Sequence, residues 1–142
     1  MAEKGGNRKM ASVSNIRSGK HYRVGETGAI EDLDAKLFVG KALGFNGMEV
    51  SLNRVPSGQA VPFMHRHRHH EEMYLFLRGH GQFQVDEDVF EVGPGTIVRV
   101  APEAARGWRN NGTEDLYCIV IQANAGSLSG NDGIKLDEPP KW

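Results

Sequence analysis

Histidines and glutamates crowd one short stretch of the chain, Pro62-Phe-Met-His-Arg-His-Arg-His-His-Glu-Glu-Met-Tyr-Leu-Phe-Leu-Arg-Gly-His-Gly81. His65 and His67 are two residues apart, so on an extended strand their imidazoles face the same space. Arg68-His69-His70-Glu71 interrupts the extended run. Glu72 then opens a second one, Met73-Tyr-Leu-Phe-Leu77, rich in strand formers and closed by Gly79-His-Gly81. If the two segments pair as neighbours, Glu72 joins the two histidines. Two imidazoles and one carboxylate form a partial coordination shell that suits Zn, Fe, Ni, Co or Mn, with positions left for water or substrate. His69 and His70 read as loop histidines on the rim, and His80, between two glycines, as a solvent-facing turn residue.

The elements that must position these side chains are short. Met48–Val55 alternates, Pro56-Ser-Gly58 turns, and residues 60–67 are extended through Pro62, which belongs at a strand start or edge. Residues 72–77, 82–85, 89–92, 96–100, 107–110 and 116–122 follow as strands separated by turn residues. A train of short strands without a long helix closes into a sandwich or barrel. Upstream, Ile30, Leu33 and Leu37 fall near one helical face, but Leu37-Phe-Val39 reads equally well as extended, and Gly40, Gly44 and Gly47 break any long element. Residues 1–19 lack apolar periodicity and are expected to form a flexible N-terminal arm or edge segment, leaving residues 20–142 as a single domain. Near the other end, Ile134-Lys-Leu136 is a candidate strand, and Trp142 is expected to dock on the barrel or on a partner subunit, because an exposed indole is costly.

Composition sets the remaining bounds. At 142 residues the chain has room for one domain with a real core. Net charge is -1 with 25% charged residues, so no overall field marks a nucleic-acid or membrane partner. Cys118 is the only cysteine, which excludes an internal disulfide and fits a reducing compartment. No stretch approaches the ~20 apolar residues of a membrane span, and the polar start lacks the apolar core of a secretory signal. The expected location is cytoplasmic.

The pattern His65-x-His67-x4-Glu72-x6-Gly79 resembles the first signature of the cupins, with Gly58 upstream at one residue more than the usual separation. A second signature can be laid along Gly95 to Asn110 without a gap. There Ala101 replaces the expected proline, Glu103 the expected glycine, and Arg106 the histidine that in the family supplies a fourth metal ligand. The resemblance covers roughly residues 47–123. It implies an all-β cupin jelly-roll barrel, the double-stranded β-helix, with its site in the mouth and His65, His67 and Glu72 as metal ligands.

Arg106 has three readings. Facing inward, it sets a fixed charge beside the ion; two unit charges 4 Å apart interact by about 4 kcal/mol at an effective dielectric of 20, and a divalent ion by twice that. It can instead pair with Glu72, or swing aside and offer its fork to an anionic substrate. Residues in phase with the ligands, Phe63, Tyr74, Phe76 and Trp108, would wall a pocket for a small, partly apolar or aromatic organic acid. The resemblance implies a metal-dependent dioxygenase, isomerase, decarboxylase or lyase with Arg106 and Tyr74 in catalytic roles. The other readings are a metal-free binding or sensing barrel and a metal-free epimerase using a histidine and Tyr74. Met73, Leu75 and Leu77, on the opposite phase, are apolar and suit homodimerisation.

Overall fold

The structure, a computed structural model, describes residues 12–142. Its strands are β1 (Ser14–Ser18), β2 (Arg23–Glu26), β3 (Lys36–Phe38), β4 (Met48–Val55), β5 (His70–Arg78), β6 (Gly81–Val85), β7 (Asp88–Val92), β8 (Ile97–Val100), β9 (Arg106–Arg109) and β10 (Leu116–Asn124). A 3₁₀ turn at Ile30–Asp32 and one short helix, α1 (Gly40–Leu43), complete the regular elements. All pairings are antiparallel. The larger sheet has the order β3-β4-β10-β5-β8 and the smaller β7-β6-β9. This is the expected jelly roll.

Strand alternation decides what each sheet buries. In β5, Glu72, Tyr74 and Phe76 are buried while Met73, Leu75 and Leu77 are half-buried, so the first set enters the space between the sheets. Tyr74 and Phe76 meet Phe83 from β6, Trp108 from β9 and Val98 from β8 in one core cluster. The aromatic rings lock edge to face, Tyr74 lying 4.8 Å from Phe83 and 5.1 Å from Trp108. Cys118 belongs to the same cluster, and burial pushes its thiol up to about 12, so it is a space-filler.

The segment carrying His65 runs beside β9 without forming a full strand. Isolated bridges join Ala60 to Arg109 and His65 to Arg106. Val61 donates to the carbonyl of Trp108, and His65 and Arg106 exchange backbone bonds of 3.1 and 2.9 Å. Pro62 lacks an amide hydrogen, which accounts for the break in this ladder.

Residues 30–39 resolve the ambiguity of the sequence in favour of an extended strap. Ile30–Asp32 makes a single 3₁₀ turn, after which Leu37 pairs with Leu52. Leu33, Leu37 and Val39 pack with Tyr117 on the outer side of β4 and β10. Of the expected arm, residues 1–11 lie outside the described residues. Ser14–Ser18 pairs with Arg23–Glu26, so the boundary drawn at residue 19 falls inside a hairpin.

Beyond β10 the expectations need correcting. Residues 134–136 form no strand, and Trp142 is fully exposed instead of resting on its own barrel. Between β10 and residue 134 lie Gly126, Ser127, Ser129, Gly130 and Gly133, with Leu128 the one large apolar residue among them and itself exposed.

Gly79 ends β5 with φ of +79°, and a Cβ built there would sit 2.3 Å from the backbone oxygen of Asp115. Strain and collision act together, and the opposing atom is backbone. We expect Gly79→Ala to cost about 2 kcal/mol or more in urea unfolding, against less than about 1 kcal/mol for Gly130→Ala, where nothing lies nearby.

Candidate metal centre

His65 and His67 project from the segment beside β9, and Glu72 from β5. Their donor atoms all lie within 4.8 Å of one another. Both imidazole Nε2 atoms point at one oxygen, Glu72 Oε1, from 3.2 Å for His65 and 3.0 Å for His67. Ligands about 2.0–2.1 Å from an ion, at angles between octahedral and tetrahedral, are separated by about 2.9–3.4 Å. Both imidazole–carboxylate separations therefore fit a divalent cation, with the donor atoms of the whole set within 4.8 Å of one another. The carboxylate is 4% exposed, whereas the side chains of His65 and His67 are 30% and 26% exposed, so the site opens on the imidazole side.

Two more groups converge on the same oxygen. The Tyr74 hydroxyl donates to Glu72 Oε1 at 2.9 Å, and Arg106 Nε lies 3.6 Å from it. Burial, helped by the neighbouring carboxylate, raises the Tyr74 phenol far above its usual range, so it remains a donor. Arg106 is fully buried. One of its terminal nitrogens donates to the His65 carbonyl at 3.3 Å and the other to Ala101 at 3.1 Å. Of its three readings, the structure has the inward one, against Glu72. Burial holds His65 below the usual histidine range; Glu72 opposes this, and Arg106 and His67 add to it. His65 is accordingly held neutral, the form that offers a lone pair to a metal.

The other expected site residues separate. Phe76 is buried in the core beneath the donors; Trp108 packs there too but also lines a cleft shared with Phe63, and its indole nitrogen has no hydrogen-bond partner. Phe63 is 65% exposed, and with Pro62 and Met64 it lines a cleft of about 490 Å³ against Gln82, Gln84 and Arg109. None of the three metal donors lines that cleft. The bend of the chain at Pro62 and Phe63 puts Phe63 out of phase with His65.

His70 is the residue that sequence reasoning placed too far out. It is the first residue of β5, half-buried, with Nδ1 2.8 Å from Gln122 Oε1 and its ring 5.8 Å from that of His67. The available signal was its phase, since it lies two residues before Glu72 and four before Tyr74. His69 is exposed on the rim, as expected.

Residues 51–122 match the cupin domain family. The chain is similar to the crystal structure of a cupin protein from Bacteroides fragilis, at 32% identity and a TM-score of 0.76, covering 83% of this chain and 99% of that one. It is also similar to an Acidithiobacillus ferrooxidans protein provisionally named a sugar phosphate isomerase, at 30% identity and a TM-score of 0.58, over 63% of this chain and 58% of that one. A predicted oxalate decarboxylase from Thermotoga maritima shares the fold at 20% identity and a TM-score of 0.54, over 60% of this chain and 73% of that one. Comparison with curated proteins gives no match.

Proposed function

The chain belongs to the cupin family, and from that premise we propose that it binds a small anionic organic molecule at the barrel mouth through a divalent ion held by His65, His67 and Glu72. One observation carries this reading: two imidazole nitrogens and a phenol crowd a single carboxylate oxygen, with a guanidinium nitrogen just beyond. An oxygen with two lone pairs is poorly served by so many hydrogen-bond donors. With a cation between them, the imidazoles contribute lone pairs and only Tyr74 needs to donate. Among the described residues, no helix is long and apolar enough to cross a membrane.

A bound divalent ion would supply Lewis-acid or redox chemistry to a small molecule. The chain's own residues have separate tasks. Tyr74 fixes the rotamer of Glu72, Arg106 balances its charge, and the exposed edges of His65 and His67 face the incoming molecule. Arg106 and Tyr74 are thus positioning residues in this reading, because neither has a surface from which to touch a substrate. The anionic character of the ligand rests on the ion. A sugar phosphate, the class in the provisional name of one neighbour, is such an anion and leads the ligand screen.

A metal-free binding barrel is the second reading, favoured by Arg106 Nε at 3.6 Å from the same oxygen, where it can serve as the cation itself. Elemental mass spectrometry on untagged protein purified without chelator separates the two. We expect close to one divalent ion per chain, lost in His65→Ala. A metal-free wild type would leave the arginine-neutralised barrel as the correct reading.

A further inference from the structure

The segment beside β9 is longer than the strand it accompanies. Between its two bridges it takes five steps, from Ala60 to His65, while β9 takes three, from Arg109 back to Arg106. Val61 and His65 are both bonded to β9, so the surplus falls at residues 62–64 and bulges there. Phe63 and Met64 are left 65% and 41% exposed. Opposite the bulge stands Gly107, with no side chain to fill the space; a Cβ there would already come within 2.8 Å of Met64 Sδ. Surplus backbone on one strand and a missing side chain on the other open the cleft of about 490 Å³. Small-molecule sites occupy about 300–1,000 Å³.

The cleft has apolar walls and one charged edge. Phe63, Met64 and Val89 form the walls, Val89 being 57% exposed. Arg109 stands at the edge, in one cross-strand row with Gln82 and Glu91. Its Nε donates to Gln82 Oε1 at 2.8 Å, and Nη2 donates to the same oxygen. Gln82 in turn donates to Glu91 at 2.8 Å, so the carboxylate lies on the far side of the amide. Among the described residues, no carboxylate comes within ion-pair reach of Arg109, and its Nη1 makes no hydrogen bond. A neutral oxygen thus holds the guanidinium in place without neutralising it, which lowers the ordering cost of receiving an anion.

We propose that this cleft is a second ligand site, apart from the metal centre, for a small aromatic carboxylic acid. The ring lies among Phe63, Met64 and Val89 over Gly107, and the carboxylate pairs with Arg109. A ring suits these walls better than an aliphatic chain, because both the Phe63 ring and the Met64 sulfur interact favourably with aromatic rings. None of the three metal donors lines the cleft, so the site is independent of whether an ion is held.

The test is a titration of the isotope-labelled full chain with phenylacetate up to about 10 mM, followed through backbone amide and indole N–H resonances, beside neutral phenylacetamide and repeated in chelator. Trp108 borders the cleft and carries an indole N–H without a hydrogen-bond partner, so it reports on occupancy. The acid is expected to saturate with a Kd of about 1 mM or tighter, shifting Gly107 and the Trp108 indole while the exposed Trp142 indole stays in place. Arg109→Gln should weaken the acid at least about fivefold and leave the amide within about twofold, whereas Phe63→Ser should weaken both at least about fivefold. Both side chains are exposed, so neither replacement disturbs the core. Chelator should leave the affinity unchanged. The proposal is overturned by an acid that does not saturate in this range, or by an Arg109→Gln chain that binds it within about fivefold of the parent. Loss of binding in chelator overturns it too, since the acid would then sit on the ion.

Discussion

Arg106→His is expected to raise the affinity of the centre for zinc about a hundredfold or more, measured by competition with a chromophoric chelator. Arg106 holds a permanent charge 3.6 Å from the carboxylate oxygen that a metal would share. A divalent ion about 5 Å from that charge is opposed by about 7 kcal/mol at an effective dielectric of 20. Glu72 and nearby water offset part of this, and a residue of about 3 kcal/mol already corresponds to a hundredfold. Histidine removes the charge and adds a donor on the strand bridged to His65. The substitution has a cost in the metal-free protein, because the carbonyls of His65 and Ala101 lose the guanidinium that bonds them. We expect about 1–3 kcal/mol of lost stability in chelator, recovered when zinc is added. Equal zinc affinity in the two proteins would mean that the arginine does not oppose the ion.

The contrast between Arg106 and the three donors shows what a sequence can reveal here. His65 and His67 share a face because of a two-residue period, a local property written into the chain. Glu72, Tyr74 and Phe76 follow the same rule along β5, and all three are buried. The direction of Arg106 depends on long-range geometry instead. It faces Glu72 because the His65–Arg106 bridge and the loop at Ala101 bring two carbonyls within reach of its terminal nitrogens. No spacing encodes that. Phe63 illustrates the opposite failure: its two-residue spacing from His65 suggests a shared face, but the ladder beside β9 is interrupted at Pro62, so phase does not carry across. The strap at residues 30–39 was ambiguous because three apolar residues three or four apart suit one helical turn and a short strand alike. Its pairing with β4 decided the matter, and that partner is about fifteen residues away.

Glu72→Gln should destabilise the protein by about 3–5 kcal/mol in urea unfolding with chelator present, and abolish metal binding under all conditions. The amide is nearly isosteric and keeps an oxygen that can accept from Tyr74, so the variant isolates the charge. Without that charge, Arg106 is left fully buried with no anion against it, and its Nε already lacks a hydrogen-bond partner. An uncompensated buried charge is what makes breaking such a pair costly. The double variant Glu72→Gln/Arg106→Leu removes the stranded cation as well, and aliphatic atoms fill much of its volume. It should be more stable than Glu72→Gln alone, even though it differs from the native chain at one more position. A double-mutant cycle over the four proteins should then give a coupling energy of about 2 kcal/mol or more between the two sites. Strict additivity would mean that the 3.6 Å approach is not an energetic pairing, and that Glu72 owes its position to Tyr74 and the histidines. Coupling of the expected size would mean that the chain has built a cation into the place where its relatives' motif carries a ligand, and so sets how tightly an ion can be held.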